Sequence, residues 1–220
     1  MSTSKRIQLE HIFDLLYLQF GKRHWWPADS PFEVVIGAVL TQNTAWKNVE
    51  KAIANLKQAQ MLSPEKLYRE PVSGIANLIR PSGFYNQKAK RLKLVAAYIT
   101  ETWNGDMDAM CRKETGALRN ELLSINGIGK ETADSILLYA CNKPVFVVDS
   151  YTHRVFSRHG LAAEEAGYDE IQELFMDNLN HGARLFNEYH ALIVELAKTF
   201  CKTKPLCDRC PLSGLPRVTV

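Results

Sequence analysis

The sequence predicts an all-α protein, and three observations carry that prediction. Apolar residues recur at three- and four-residue spacings through most of the chain, capping and helix-breaking residues fall between those stretches, and extended β-branched runs are nearly missing. The one such run, residues 145–148, is too little for a sheet. At 220 residues the chain is long enough for one large or two small domains, and 46% hydrophobic with 23% charged residues excludes a disordered or low-complexity chain.

The first helix spans residues 7–21, with Ile12, Leu15, Leu16 and Phe20 on one stripe and Gly21 at its end. A second starts after Asp29 or Ser30 with Pro31 in its first turn and stops at the polar Gln42, Asn43 and Thr44. Further helices are expected over 46–59, 64–68, 72–78 and 85–102, the third of these ended by Arg80, Pro81, Ser82 and Gly83. Two more, over 116–124 and 130–141, are joined by the short turn Ile125 to Gly129. Ser150 can cap a helix running toward His159, and helices over 168–179 and 183–200 lead into a cysteine-rich tail. No internal repeat of 20–50 residues is visible.

The formal charge of +3 is too small to announce a polyanion partner, but it hides a local concentration. Between Arg80 and Tyr98 lie Arg80, Lys88, Lys90, Arg91 and Lys93 with no acid, a run suited either to a solvated helix face or to phosphates. Five cysteines are present; Cys111 and Cys141 stand alone, while Cys201, Cys207 and Cys210 cluster as C-x5-C-x2-C. An odd, clustered set argues for a metal or redox feature in a reducing compartment rather than a secreted disulfide framework. The first residues hold no apolar signal region and no stretch is long enough to span a membrane, so a soluble, cytoplasmic protein is expected.

The most informative stretch runs from Leu122 to Ala140. Gly127 and Gly129 bracket one apolar residue in a tight turn, where a missing Cβ lets backbone N–H groups approach an anion, and the helix that begins at once adds its positive N-terminal end. Paired glycines also close plain turns between packed helices. Some twenty residues on, an acid, Asp149, follows the apolar run 145–148 and precedes a helix, a place where aspartate commonly serves as a cap.

Gly127, Ile128, Gly129, Thr132 and Ala133, taken with Val148, Asp149, Ser150 and Arg154, resemble the hairpin and the catalytic-aspartate segment of the helix-hairpin-helix DNA glycosylases related to endonuclease III. The resemblance runs from about Pro31 to Cys210. Residues 24–44 and 80–92 look particularly like the branch that removes 3-methyladenine. It implies two helical domains with a DNA-binding cleft between them: a six-helix barrel over 22–136, and a second domain made of 1–21 plus 137–220.

It also implies a base-excision enzyme that acts as a monomer on double-stranded DNA containing a damaged base. Asp149 would support hydrolysis of the N-glycosidic bond, because a carboxylate near the sugar stabilises the positive charge that develops there. Gly127, Gly129 and Lys130 would hold a phosphate, Gln42 or Asn43 would fill the gap left by a flipped base, and Trp25 and Trp26 would hold that base. A π-face attracts a cationic base more than a neutral one, which favours an alkylated purine. Mismatched thymine or uracil is a second substrate class that related members use.

Members that also cleave the strand carry a lysine directly before the Thr-Ala pair; here that position is Glu131, which cannot form an imine, so a monofunctional enzyme is expected. Lys130, one residue earlier, is turned about 100° away on the helix. A lyase acting through Lys130 and a non-catalytic DNA-binding module are the alternatives. The tail resembles one whose four cysteines ligate a [4Fe-4S] cluster: Cys201, Cys207 and Cys210 match three ligands, and Pro216 stands in the place of the fourth.

Overall fold

The computed structural model describes residues 3–218. Their regular secondary structure is all helical, with no strand among the described residues. The order is α1 (Thr3–Phe20), α2 (Pro31–Leu40), α3 (Trp46–Gln58), α4 (Pro64–Arg69), α5 (Val72–Leu78), α6 (Tyr85–Trp103), α7 (Met107–Arg112), α8 (Thr115–Ser124), α9 (Lys130–Ser135), α10 (Ser150–Arg158), α11 (Tyr168–Met176) and α12 (Ala183–Thr199). Single 3-10 turns lie at Arg80–Ser82 and Cys207–Arg209, and α9 widens into a π-helical turn at Ile136–Ala140. No helix among the described residues is long and apolar enough to cross a membrane.

Most of these elements are the ones that periodicity and caps predict, and three differ. The short α7 has no counterpart in the sequence reading, because only Met110 on it is buried and its start rests on a local cap from Asp106 to the Ala109 amide (2.9 Å). The helix after the hairpin does not stay α-helical to Cys141. Asp149, rather than Ser150, is the N-cap of α10.

Two compact units divide the chain: one spans Trp26–Lys143, the other takes the described residues up to Trp25 together with those from Pro144 onward. Within the first, α2 is the central helix. Every residue from Phe32 to Leu40 is buried, and α3, α6, α9 and the π-helical turn pack around it, while α4 and α5 pack on α6. Ser30 caps α2 by accepting from the Glu33 amide at 3.2 Å. The hairpin helices α8 and α9 are strapped by Arg119, whose Nε and Nη2 donate to Asp134 at 2.6 and 2.9 Å, the acid being fully buried.

Cys111 and Cys141 are not single thiols. They form a disulfide, because α7 and the end of the π-helical turn bring their Cα atoms to 4.9 Å across 30 residues of sequence. That pairing removes the odd count as an argument about compartment and leaves Cys201, Cys207 and Cys210 as the free thiols.

The basic run also divides. Lys88 is only 1% exposed, and its Nζ donates to the Leu40 and Ser82 carbonyls (both 2.8 Å) and to Thr44 Oγ1 (2.6 Å), tying the C-terminal end of α2 to the start of α6. Lys93 donates to the Tyr68 and Glu70 carbonyls. Two of the five charges expected to meet phosphates therefore hold the fold together, while Arg80 and Lys90 are exposed.

The second unit is built on α12, against which α1 and α10 pack. Fully buried Tyr189 donates to the Leu9 carbonyl (2.8 Å), and the rings of Phe146, Phe156 and Phe175 gather around it. Phe146 stacks on Phe175 at 3.7 Å. This aromatic core takes in the extended, buried residues 145–148 and so delivers Asp149 to the start of α10.

Burial lowers the Lys88 pKa to about 8, with the Arg91 charge adding to it. The unfolded chain keeps that proton to about pH 10.4, so folding gains stability as pH rises between the two values. Lys88→Met should lose about 1–3 kcal/mol at pH 7, since the Leu40 and Ser82 carbonyls lose their donor. Urea midpoints should rise from pH 8 to pH 10 in the wild type relative to the variant; parallel curves would contradict this account of Lys88.

Candidate active site

Asp149 uses its two oxygens for different tasks. Oδ1 accepts from the Thr152 amide (2.8 Å) and the Thr152 hydroxyl (3.0 Å), the ordinary work of a helix cap. Oδ2 lies 3.5 Å from His190 Nε2 on α12. The carboxylate side chain is 13% exposed and the imidazole 8%. Burial pushes the Asp149 carboxyl up, but the neighbouring His190 imidazole and the two bonds from Thr152 outweigh it and hold the group below its usual range. The result is a largely buried carboxylate that stays ionised while keeping a small opening to solvent. Sequence reasoning missed His190; a histidine on a helix otherwise buried by Phe186, Tyr189 and Ile193 reads as ordinary core filling.

In the other unit, Gly127 takes φ +87°, a conformation that favours glycine, and an added Cβ would sit 2.5 Å from Arg91 Nε. The hairpin thus closes over the Arg91 side chain. Gln42 is knitted to the same place: its Nε2 donates to the Gly127 carbonyl (3.2 Å) and Thr132 Oγ1 (2.9 Å), and its Oε1 accepts from Arg91. Ile128 is buried, while Gly129, Lys130 and Glu131 are exposed at the start of α9. Asn43, next to Gln42, is exposed in the left-handed region at φ +51°. The two amides expected to act alike are therefore held differently, one as a brace and one at the loop surface.

Trp26 packs edge-on to Trp46 and tilted against Tyr139, both at 5.2 Å between ring centroids. It lies over Gly37 of α2, where an added Cβ would meet its ring at 2.9 Å. Trp46 and Tyr139 were not anticipated, since each reads as a helix-start or core aromatic in its own segment. Trp25 is half-buried and belongs to the other unit.

The three free thiols, buried Cys201 and half-buried Cys207 and Cys210, line one cavity of about 530 Å³ together with Arg158 and His159. Arg158 Nη1 donates to Cys201 Sγ at 3.4 Å, and its guanidinium also reaches the Lys202 and Thr203 carbonyls (2.6 and 3.2 Å). Burial pushes the Cys210 thiol up, and the nearby Cys201 and Cys207 add to this. No group of three or more such residues among those described is gathered tightly enough for a single metal ion. Three soft thiols spread around a cavity, beside a cation that would offset thiolate charge, fit a multi-iron cluster better than one ion.

A family model for HhH-GPD superfamily base excision DNA repair proteins matches residues 36–181. The chain is 52% identical over 214 residues to a Methanocaldococcus jannaschii protein described as a candidate DNA repair glycosylase, covering 96% of this chain and 97% of that one. It is 31% identical over 180 residues to endonuclease III of Sulfolobus acidocaldarius, covering 81% and 78%. The solved structure of H. pylori 3-methyladenine DNA glycosylase bound to 1,N6-ethenoadenine matches with a TM-score of 0.75 at 34% identity, over 88% of this chain and 97% of that one. With the hairpin, the capped aspartate and these likenesses together, the chain belongs to the HhH-GPD superfamily of base excision DNA repair proteins.

Proposed function

We propose that this chain is a monofunctional DNA glycosylase that hydrolyses the N-glycosidic bond of an alkylated purine, such as 3-methyladenine, in double-stranded DNA. The observation that carries this reading is Asp149, a largely buried carboxylate kept ionised by His190 and Thr152. As the bond to the base breaks, the sugar acquires positive charge, and a carboxylate already stripped of most water stabilises that charge more strongly than a solvated one. The same group can accept a proton from the attacking water.

The hairpin serves this chemistry by positioning. Backbone N–H groups around Gly127 and Gly129, with Lys130, hold a phosphate without reading sequence. Gln42 keeps the hairpin in shape from below, which leaves Asn43 to enter the gap in the duplex. Trp25 and Trp26 hold the extruded base, with Trp46 and Tyr139 backing Trp26. An aromatic site suits a cationic alkylated base, and the likeness to the H. pylori enzyme supports that substrate class.

Glu131 stands where a strand-cleaving enzyme needs its lysine. The likeness to endonuclease III favours a second reading, lyase action through the neighbouring Lys130. In the tail, Cys201, Cys207 and Cys210 would hold a [4Fe-4S] cluster. When bound, that group supplies iron–thiolate cross-links that pin the tail.

Mass spectrometry of bases released from alkylated, deaminated and oxidised DNA tests the substrate class. Release of 3-methyladenine is expected; release of only thymine, uracil or oxidised pyrimidines, or of nothing, would contradict it. Asp149→Asn should lower base release by about 100-fold or more with DNA binding retained, and undiminished release would remove Asp149 from the chemistry. Borohydride should trap no covalent adduct with DNA. An adduct that disappears in Lys130→Ala would establish the lyase reading instead.

A further inference from the structure

The geometry points to His159 as a nitrogen ligand to the [4Fe-4S] cluster, completing the set that Cys201, Cys207 and Cys210 leave one short; this rests on the cluster reading above. A cluster of this kind has four irons, each in want of one protein ligand, and the chain offers three thiols around one cavity. The fourth thiol's place in the sequence is taken by Pro216, which has no donor side chain. Among the side chains lining the cavity, only His159 and Ser213 add a neutral nitrogen or oxygen lone pair. An imidazole is the better partner for iron held by thiolates, as the mixed histidine and cysteine ligation of Rieske centres illustrates.

A backbone contact settles which ring nitrogen is free to bind. His159 Nδ1 lies 2.8 Å from the Pro216 carbonyl oxygen. A carbonyl can only accept, so Nδ1 carries the proton and Nε2 is left with the lone pair. This is the arrangement found around metal-binding histidines, in which a backbone carbonyl fixes the tautomer and the ring plane through the nitrogen that does not bind metal. The residue that replaces the fourth cysteine therefore takes part after all, through its backbone.

The surrounding contacts make the arrangement rigid. His159 ends α10, directly after Arg158, whose guanidinium sits on Cys201 Sγ. The Val218 amide donates to the Arg158 carbonyl at 2.9 Å, which pins the segment carrying Pro216 to the same helix end. Gly160, at φ +67°, turns the chain away immediately afterwards. One helix terminus thus presents both a cation for the thiolates and an imidazole to the same cavity.

The test uses the full chain, reconstituted anaerobically with ferrous iron and sulfide, in wild-type, His159→Ala and His159→Cys forms, each with 15N-labelled histidine. Iron and acid-labile sulfide are counted, and the dithionite-reduced protein is examined by pulsed EPR for nitrogen coupled to the cluster. The wild type should bind about four irons per chain and show strong histidine-nitrogen coupling. His159→Ala should lose the coupling and, on brief air exposure, convert to a three-iron centre far more readily than the wild type. His159→Cys should keep the iron content without the coupling, which separates loss of a ligand from loss of the fold. A four-iron wild-type cluster without nitrogen coupling, or with coupling that survives in His159→Ala, would overturn the assignment of His159 and leave the cluster reading standing. A wild type that takes up neither iron nor sulfide would overturn the cluster reading itself, and the ligand with it.

Discussion

A carboxylate removed from water must be compensated, and at Asp149 that requirement organises the unit around it. Desolvation alone would drive the group toward its neutral form. Thr152 answers one oxygen and His190 the other. Because Thr152 lies on α10 and His190 on α12, those two helices must pack as they do for the charge to persist. The aromatic core of Phe146, Phe156, Phe175 and Tyr189 fixes the same helices and the extended segment before Asp149. Packing and the buried charge are thus two aspects of one arrangement.

In the other unit a comparable economy appears at the hairpin. Gly127 is needed both for its positive φ and for the space its missing Cβ leaves to Arg91. Arg91 in turn engages Gln42, which reaches back to Gly127 and Thr132. The loop that follows α2 is tied from the other side by Lys88 through Leu40 and Thr44. A cation and an amide that look like DNA-facing groups in the sequence are instead what hold the hairpin and the loop after α2 in place.

Local chemistry explains what could be foreseen. The turn at Gly127 announces itself because few residues other than glycine take its backbone angle, and the cap at Asp149 because helix starts favour acids. At Asp149 one oxygen serves as the cap and the other faces His190, a partner the cap signal does not announce. What stayed hidden depends on distant parts of the chain meeting. His190, the Cys111–Cys141 bond, the inward turn of Lys88 and Lys93, and the Trp46 and Tyr139 rings beside Trp26 leave no periodic or spacing signal. A basic run shows its charge in the sequence but not which of its members are buried.

The central claim is that His190 keeps Asp149 ionised inside the protein. NMR titration of 13C-labelled aspartate carboxyls, with the Asp149 signal assigned by its loss in Asp149→Asn, measures this directly. The carboxyl should ionise below the ordinary value of 3.8 in the wild type and rise above it in His190→Gln, where burial is no longer outweighed. Its contribution to stability should then disappear only as pH falls through that lowered value. A wild-type Asp149 that titrates at or above 3.8, or one that His190→Gln leaves unmoved, would contradict the account.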